Sequence, residues 1–276
     1  MKKVQKDWIL KPYETTKINE LKNELKINHI ICNLLVQRGI LNYQQAKSFF
    51  RPELEQLNDP FLMKGMEKAC ARITNAIDCN ESILIYGDYD VDGTTAVTTV
   101  YSFLKLLHEK LEYYIPDRYE EGYGVSEKAI HYASDKNISL IICLDCGITD
   151  HNEIELAQNK HIDVIICDHH LPKKTLPKAF SILNPKQDGC KYPFKELSGC
   201  GIGFKLIQAL SLKKGLKKDI AFGFLDLLAI SIACDMVSVS GENRIMAYYG
   251  LKLLNNKPRP GLKCILNAYL FPDKKE

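Results

Sequence analysis

The sequence predicts an α/β fold: a mostly parallel β-sheet with helices on both faces, preceded by a small N-terminal helical region. Two observations carry this expectation. From Ser82 onward, short apolar runs alternate with stretches of helical periodicity, the pattern of a parallel sheet covered on both sides. Three of those runs end in acids or imidazoles, and function in such sheets gathers at the carboxyl ends of the strands.

The N-terminal region comes first. Between Ile18 and Gly39, apolar residues at Leu21, Leu25, Ile27, Ile30, Ile31, Leu34 and Leu35 follow helical spacing, with Gly39 as the stop. Asn42 is placed to cap a short helix through Phe50, Pro52 and Pro60 interrupt, and Lys64–Asp78 reads as a further helix. Trp8 either packs against the core or stacks on a base. The alternation then runs strand Ile83–Tyr86, helix Gly93–Leu107, strand Glu112–Ile115, helix Ser126–Lys136, strand Leu140–Leu144, helix Asp150–Lys160 and strand Val164–Cys167. A helix over Phe204–Leu210 and an apolar run Phe224–Cys234 follow. Asn243–Leu254 reads as a linker-like helix, giving three regions: 1–80, 81–240 and 241–276.

Composition sets the class. The chain has 276 residues, 46% of them hydrophobic and 26% charged, with a formal net charge of +3. No apolar run approaches the ~18 residues of a membrane span. The apolar stretch in MKKVQKDWILKPYE is too short for a signal peptide. The expectation is therefore a cytoplasmic protein with no membrane contact. Ten cysteines are scattered through apolar runs, which suits reduced, buried thiols. The one CxxC, Cys143 to Cys146, lacks a second pair to complete a zinc tetrahedron. Between Leu171 and Lys218, eleven lysines face only Asp188 and Glu196. That stretch is either a solvated face or a surface for a polyanion.

The chemistry concentrates at the strand ends. After Ile83–Tyr86 come Asp88, Asp90 and Asp92, whose spacing of two aims several carboxylates at one volume if the backbone stays extended. At an effective dielectric of about 20, two like charges ~4 Å apart repel by roughly 4 kcal/mol, so such a cluster protonates, splays or holds a cation. Asp145 follows the next apolar strand and Asp168, His169 and His170 the one after; Asp235 ends the later apolar run. Carboxylates with one or two imidazoles suit Mn²⁺ or Mg²⁺ better than zinc. The glycine-rich Ser198–Gly203 turn either offers N–H groups to a phosphate or permits close helix packing. Arg118 either grips a phosphate or neutralises Glu120 or Glu121.

These residues resemble the DHH phosphoesterase superfamily, whose Asp-His-His stands here as Asp168-His169-His170, and within it the RecJ family of single-strand-specific exonucleases. GDYDVDGTTA, IPDRYEEGYGVS, LDCGIT, CDHH, NPKQ, LSGCGIGFKL and ACDMVSVSGENR appear in the family's order across essentially the entire chain. The resemblance implies that residues 81–240 form the DHH domain and that 241–276 leads toward a further, glycine-rich nucleic-acid-binding domain. It implies two ions, Mn²⁺ or Mg²⁺, held by Asp90, Asp92, Asp145, His169 and Asp235, with Asp145 as bridge. His170 faces the scissile phosphate, Asp88 supports a ligand or a metal-bound water, and Arg118, Ser198, Gly199, Gly201 and Gly203 lie on the substrate path. Tyr86 stands where many relatives carry a histidine ligand, so the first ion is expected to lean on Asp88 or water. The implied activity is 5′-to-3′ hydrolysis of single-stranded DNA in recombination and repair. The implied partners of a monomeric nuclease are a single-strand-binding protein and a helicase. The rival readings are a DHH-type phosphodiesterase acting on oligoribonucleotides, cyclic dinucleotides or pyrophosphate, and a non-catalytic DNA- or protein-binding relative. A phospho-acceptor signalling domain fits neither the length nor the Asp-His-His.

Overall fold

A computed structural model describes Ile9, Lys11 and residues 14–269; Trp8 lies outside the described residues. Contacts divide the chain into two compact units, Met1–Glu55 and Gln56–Glu276.

The first unit holds α1 (Thr15–Leu25), α2 (His29–Val36) and α3 (Tyr43–Phe50). The single helix expected between Ile18 and Gly39 is two. Lys26 takes a left-handed conformation at φ 54°, and the Asn28 side chain then caps α2 by accepting the Ile30 N–H at 2.8 Å. The break lets Ile18 and Leu21 of α1 pack on Cys32, Leu35 and Val36 of α2 and on Ala46 of α3. Asn42 caps α3 through the Gln45 N–H, as expected.

The second unit is built on β1 (Ile83–Gly87), β2 (Leu111–Tyr114), β3 (Leu140–Leu144), β4 (Asp163–Cys167) and β5 (Ser181–Leu183). All pairings are parallel, in the order β2-β1-β3-β4-β5. The strand β5 has no counterpart in the sequence reading, because three residues are too few to show a period. Leu84, Tyr86, Ile141, Cys143, Val164 and Ile166 share one buried cluster with Ala129 and Ile130 of α6 (Glu127–Asp135) and Ile154 and Ala157 of α7 (His151–Asn159). The alternate residues, Ile83, Ile85, Ile142 and Ile165, point the other way. On that side α4 (Met66–Asp78), α5 (Val91–Leu104) and α8 (Gly199–Lys213) contact the strands.

The remaining helices are α9 (Lys218–Phe222), α10 (Leu225–Cys234), α11 (Gly241–Asn256) and α12 (Pro260–Tyr269). Helix α11, read as a linker, is packed along α10. A Cβ at Gly250 would lie 2.0 Å from the Leu225 carbonyl oxygen, so only glycine allows the two backbones this close. At its start, Glu242 accepts from the Asn58 N–H at 2.8 Å, the Tyr192 hydroxyl at 2.6 Å and the Lys205 ammonium at 2.7 Å. Lys205, counted among the basic stretch, is thus fully buried rather than available to a polyanion. Removing one partner of such a buried pair costs roughly 3–5 kcal/mol. Arg259 anchors the entry to α12 on the buried Asp226, 2.8 Å from Oδ2. Among the described residues no helix is long and apolar enough to cross a membrane.

Candidate metal centre

Register assembles the site. Gly87 pairs with Leu144, Leu144 with Cys167 and Cys167 with Leu183, so four strands reach their carboxyl ends level with one another. The next residue of each strand is Asp88, Asp145, Asp168 or Asn184. Backbone bonds extend the row by one step: Asp88 N–H to the Leu144 oxygen at 3.3 Å, Asp145 to Cys167 at 2.8 Å and Asp168 to Leu183 at 3.1 Å.

The first acid block does not stay extended. Helix α5 starts at Val91, earlier than its expected Gly93, because the Asp90 side chain caps it by accepting the Gly93 N–H at 2.9 Å. Asp92 therefore sits in the first helical turn, and the three carboxylates separate. Asp88 and Asp90 group with Asp145, while Asp92 groups with His169 and Asp235; His169 and His170 also group with Asp145. His169 Nε2 lies 3.3 Å from Asp145 Oδ1, 3.7 Å from Asp235 Oδ2 and 3.9 Å from Asp92 Oδ2. Asp145 thus adjoins both acidic groups. Asp88, placed by the sequence reading as a supporting acid, lies within ligand distance of one of them.

Glycines make room for this approach. A Cβ at Gly199 would lie 2.4 Å from Asp145 Oδ1, and one at Gly93 would lie 2.3 Å from the Asp88 carbonyl oxygen.

The residues present fit a hard divalent cation. Asp88 Oδ1, Asp145 Oδ1, Asp235 Oδ2 and both ring nitrogens of His169 are buried without a hydrogen-bond partner among the described residues. A buried polar group left unpaired costs roughly 1–3 kcal/mol, yet Asp145 Oδ1, Asp235 Oδ2 and His169 Nε2 face one another and Asp88 lies beside Asp145 in a neighbouring group. Burial, reinforced by Asp92 and Asp90, pushes the Asp145 carboxyl up to about 11. Burial raises Asp88 to about 6, with Asp90 adding to it, and raises Asp235 to about 6, with Asp92 and Asp90 adding to it. Burial lowers His169, which favours the neutral imidazole that ligates metals. Carboxylate oxygens with one imidazole form a donor set for Mn²⁺ or Mg²⁺.

His170 is held differently. Its Nδ1 lies 2.7 Å from Asp168 Oδ1, and its backbone N–H donates to the same oxygen at 3.0 Å. Asp168 Oδ2 accepts the Ile148 N–H at 3.0 Å. The hydrogen bond to Asp168 raises the His170 pKa against the effect of burial. Burial of Asp168 would raise its own pKa, but the bonds from His170 and Ile148 hold it below the usual carboxylate range. Tyr123 adds its hydroxyl 3.2 Å from His170 Nδ1 and 3.3 Å from Nε2, with the two rings edge to face. Asp168 stood among the strand-end acids without a role of its own, and Tyr123 did not stand among the expected site residues. The chemistry of the His170 partner was readable in the Asp-His-His, that of Tyr123 was not.

One of the two readings of the glycine-rich turn is set aside by the geometry. The N–H groups at the start of α8 do not face outward to a phosphate: Gly199 and Cys200 donate to the two oxygens of Asp92 at 2.6 and 2.8 Å, and Gly201 donates to Ser198 Oγ at 3.1 Å. Gly203 serves packing, since a Cβ there would lie 3.1 Å from Val100 of α5. Tyr86, expected to leave the first ion to Asp88 or water, points its hydroxyl elsewhere. Its hydroxyl donates to the Gly124 carbonyl at 2.6 Å and accepts the Ser126 N–H at 3.3 Å, within the α6–α7 face of the core.

Arg118 is exposed, with its guanidinium 5.2 Å from the ring centre of Tyr89. Glu120 and Glu121 are served instead by Lys128, Tyr114 and Ser126. The basic stretch disperses as well: Lys213 pairs with Glu67, and Lys195 donates to the Pro185 and Cys190 carbonyls. All ten cysteines are free, and burial pushes the Cys143 and Cys146 thiols up.

Residues 82–232, the sheet with its strand-end acids, match the model of the DHH family, N-terminal domain. The chain belongs to the DHH family. Within it, the chain is 41% identical over 256 residues to the single-stranded-DNA-specific exonuclease RecJ of Bacillus subtilis, covering 93% of this chain and 32% of that protein. It is 33% identical to the Escherichia coli RecJ over 252 residues, covering 87% of this chain and 43% of the relative. The chain therefore spans a third to less than half the length of these curated DHH relatives. Two solved structures align: an exonuclease RecJ bound to manganese, with TM-score 0.70 and 30% identity over 78% of this chain and 54% of that one; and RecJ from Thermus thermophilus in complex with Mn²⁺, with TM-score 0.76 and 25% identity over 92% of this chain and 36% of that one. The DHH fold expected from the sequence is the fold observed.

Proposed function

We propose that this chain is the catalytic part of a metal-dependent exonuclease that hydrolyses phosphodiester bonds of single-stranded DNA from the 5′ end, in recombination and repair. The observation that carries the reading is the convergence of unpartnered carboxylate oxygens and imidazole nitrogens of Asp88, Asp145, Asp235 and His169 at one edge of the sheet. The RecJ likeness and the manganese-bound relatives support it.

In this reading Asp90, Asp92, Asp145, His169 and Asp235 hold two Mn²⁺ or Mg²⁺ ions, with Asp145 between them and Asp88 close enough to join the first group. Two such ions, when bound, supply activation of a water for in-line attack and stabilisation of the departing oxygen. The protein does the rest. Asp168 fixes His170 in place and favours its protonated form, which gives a proton or a charge-stabilising N–H to the reacting phosphate. Arg118 meets a neighbouring phosphate bidentately. Ser198, Gly199, Gly201 and Gly203 act on the substrate path only indirectly, by building the wall against Asp92 and Asp145. The nuclease works as a monomer in the cytoplasm, with a single-strand-binding protein and a helicase presenting the strand.

Calorimetry with Mn²⁺ tests the metal centre, and degradation of end-labelled single-stranded DNA tests the activity. The expected outcome is saturable Mn²⁺ binding that Asp90→Ala and Asp145→Ala abolish or weaken by at least tenfold, with parallel loss of DNA hydrolysis. Absence of saturable binding by the wild-type chain overturns the metal centre. Faster turnover of a dinucleotide than of a DNA oligomer overturns the substrate assignment.

A further inference from the structure

Asp92 differs from the other acids of the centre in having its hydrogen bonds filled. Its Oδ2 accepts the Gly199 N–H at 2.6 Å, and its Oδ1 accepts the Cys200 N–H at 2.8 Å and the Ser231 hydroxyl at 2.7 Å. Gly199 and Cys200 open α8, Ser231 lies within α10, and Asp92 itself sits in the first turn of α5. Three helices that pack on one another therefore meet at one carboxylate.

The direction of these bonds is fixed. Ser231 Oγ donates its one hydrogen to Asp92, so it can only accept from Ser198 Oγ, 2.7 Å away. Ser198 Oγ in turn accepts the Gly201 N–H at 3.1 Å while capping α8. The chain runs Gly201 N–H to Ser198, Ser198 to Ser231, and Ser231 to Asp92. Ser198 and Ser231 are both wholly buried, so no water competes for these donors. Ser231 and the Gly199 and Cys200 amides all present hydrogen to the carboxylate, so both of its oxygens are held as acceptors. The N-terminus of α8 adds its partial positive charge in the same direction.

We infer that Ser231, backed by Ser198, is a positioning residue for the metal centre: it locks the Asp92 carboxylate in one rotamer, with Oδ2 held on the side of His169 and Asp235. This rests on the metal-centre reading above and goes beyond it by naming what orients a ligand. Residues of this kind, behind the ligands themselves, contribute about 10–100-fold to metal affinity. Neither serine is a ligand or touches substrate, so the effect passes through Asp92. An alternative duty, simply filling the helix junction, would leave metal affinity unmoved when the hydroxyl is replaced by a group of similar size.

The test is Mn²⁺ titration calorimetry of the wild type, Ser231→Ala, Ser231→Cys and Ser198→Ala, paired with thermal unfolding of each protein without metal. Cysteine keeps the volume but is a weak donor, so it separates packing from hydrogen bonding. The expected result is a ten- to hundredfold weaker Mn²⁺ dissociation constant in both Ser231 variants and a smaller, several-fold loss in Ser198→Ala. The Mn²⁺-free unfolding midpoint of Ser231→Cys stays within a few degrees of wild type. Wild-type affinity in Ser231→Cys overturns the inference while leaving the metal centre intact. Failure of the wild type to bind Mn²⁺ overturns the metal centre and this inference with it. If Ser231→Ala does not fold, Ser231→Cys decides the question by the same criterion.

Discussion

The hydroxyl of Tyr86 donates to the carbonyl oxygen of Gly124 at 2.6 Å, joining the last turn of β1 to the loop that carries Tyr123. The Tyr86 hydroxyl oxygen itself accepts the Ser126 N–H at the start of α6, and the Tyr86 ring stacks on Tyr114 at 5.8 Å. Tyr86 is therefore committed to the loop rather than to a cation. Tyr86→Phe keeps the ring and removes the bond, leaving the Gly124 carbonyl and Ser126 N–H without it. The expected cost is about 1–2 kcal/mol of stability, measured by denaturant unfolding, with Mn²⁺ affinity within twofold of wild type. A large loss of Mn²⁺ binding at unchanged stability would return Tyr86 to the ligand shell.

The raised carboxyls predict how pH and metal act together. Asp145 is pushed up to about 11, and Asp88 and Asp235 to about 6, all above the ordinary carboxylate value of about 4. The metal-free folded chain then holds protons that the unfolded chain has released, so these groups make stability fall as pH rises from about 4 through about 6. Asp145 continues the trend above that. Mn²⁺ must displace the same protons, so its affinity rises across that window. Asp145→Asn is expected to stabilise the metal-free protein at pH 7.5 by on the order of 1–2 kcal/mol and to abolish stabilisation by Mn²⁺. Thermal unfolding at several pH values, with Mn²⁺ or a chelator, measures both. A less stable metal-free Asp145→Asn would contradict the electrostatic account.

His170 depends on Asp168 for its proton. The hydrogen bond at 2.7 Å raises the His170 pKa, so the imidazolium persists to higher pH and is lost as pH rises through that value. Asp168→Asn removes the charge, lowers the His170 pKa, and moves the alkaline limb of the pH–rate profile to lower pH. The expected loss in rate is about 100-fold or more at neutral pH, with Mn²⁺ affinity changed little. An alkaline limb that stays in place would show that His170 is not the group whose proton matters.

How far the sequence carried the site differs from one acid to another. Asp145, Asp168 and His169 follow apolar runs whose carboxyl ends are legible as strand ends, and parallel pairing then brings them level. Asp90 and Asp92 were legible as a cluster but not in conformation. The Asp90 cap starts α5 early and turns Asp92 away from Asp88, because capping competes locally with the extended backbone. Asp235 ends a helix rather than a strand, and only packing of α10 on α5 and α8 brings it to His169. Lys205 shows the opposite error. As one lysine in a basic stretch it reads as surface, and its burial against Glu242 depends on a helix nearly forty residues later.

The sequence by itself determined the α/β class, the family pattern and the acids and imidazoles of the centre, because apolar periodicity and strand-end chemistry are local properties of the chain. The tertiary structure alone decided which oxygens face one another, that the Tyr86 hydroxyl is spent on the Gly124 carbonyl, and that the start of α8 is taken up by Asp92. Those outcomes follow from register and helix packing, which set distances between residues far apart in the chain, such as Asp92 and Ser231, and no local pattern encodes them.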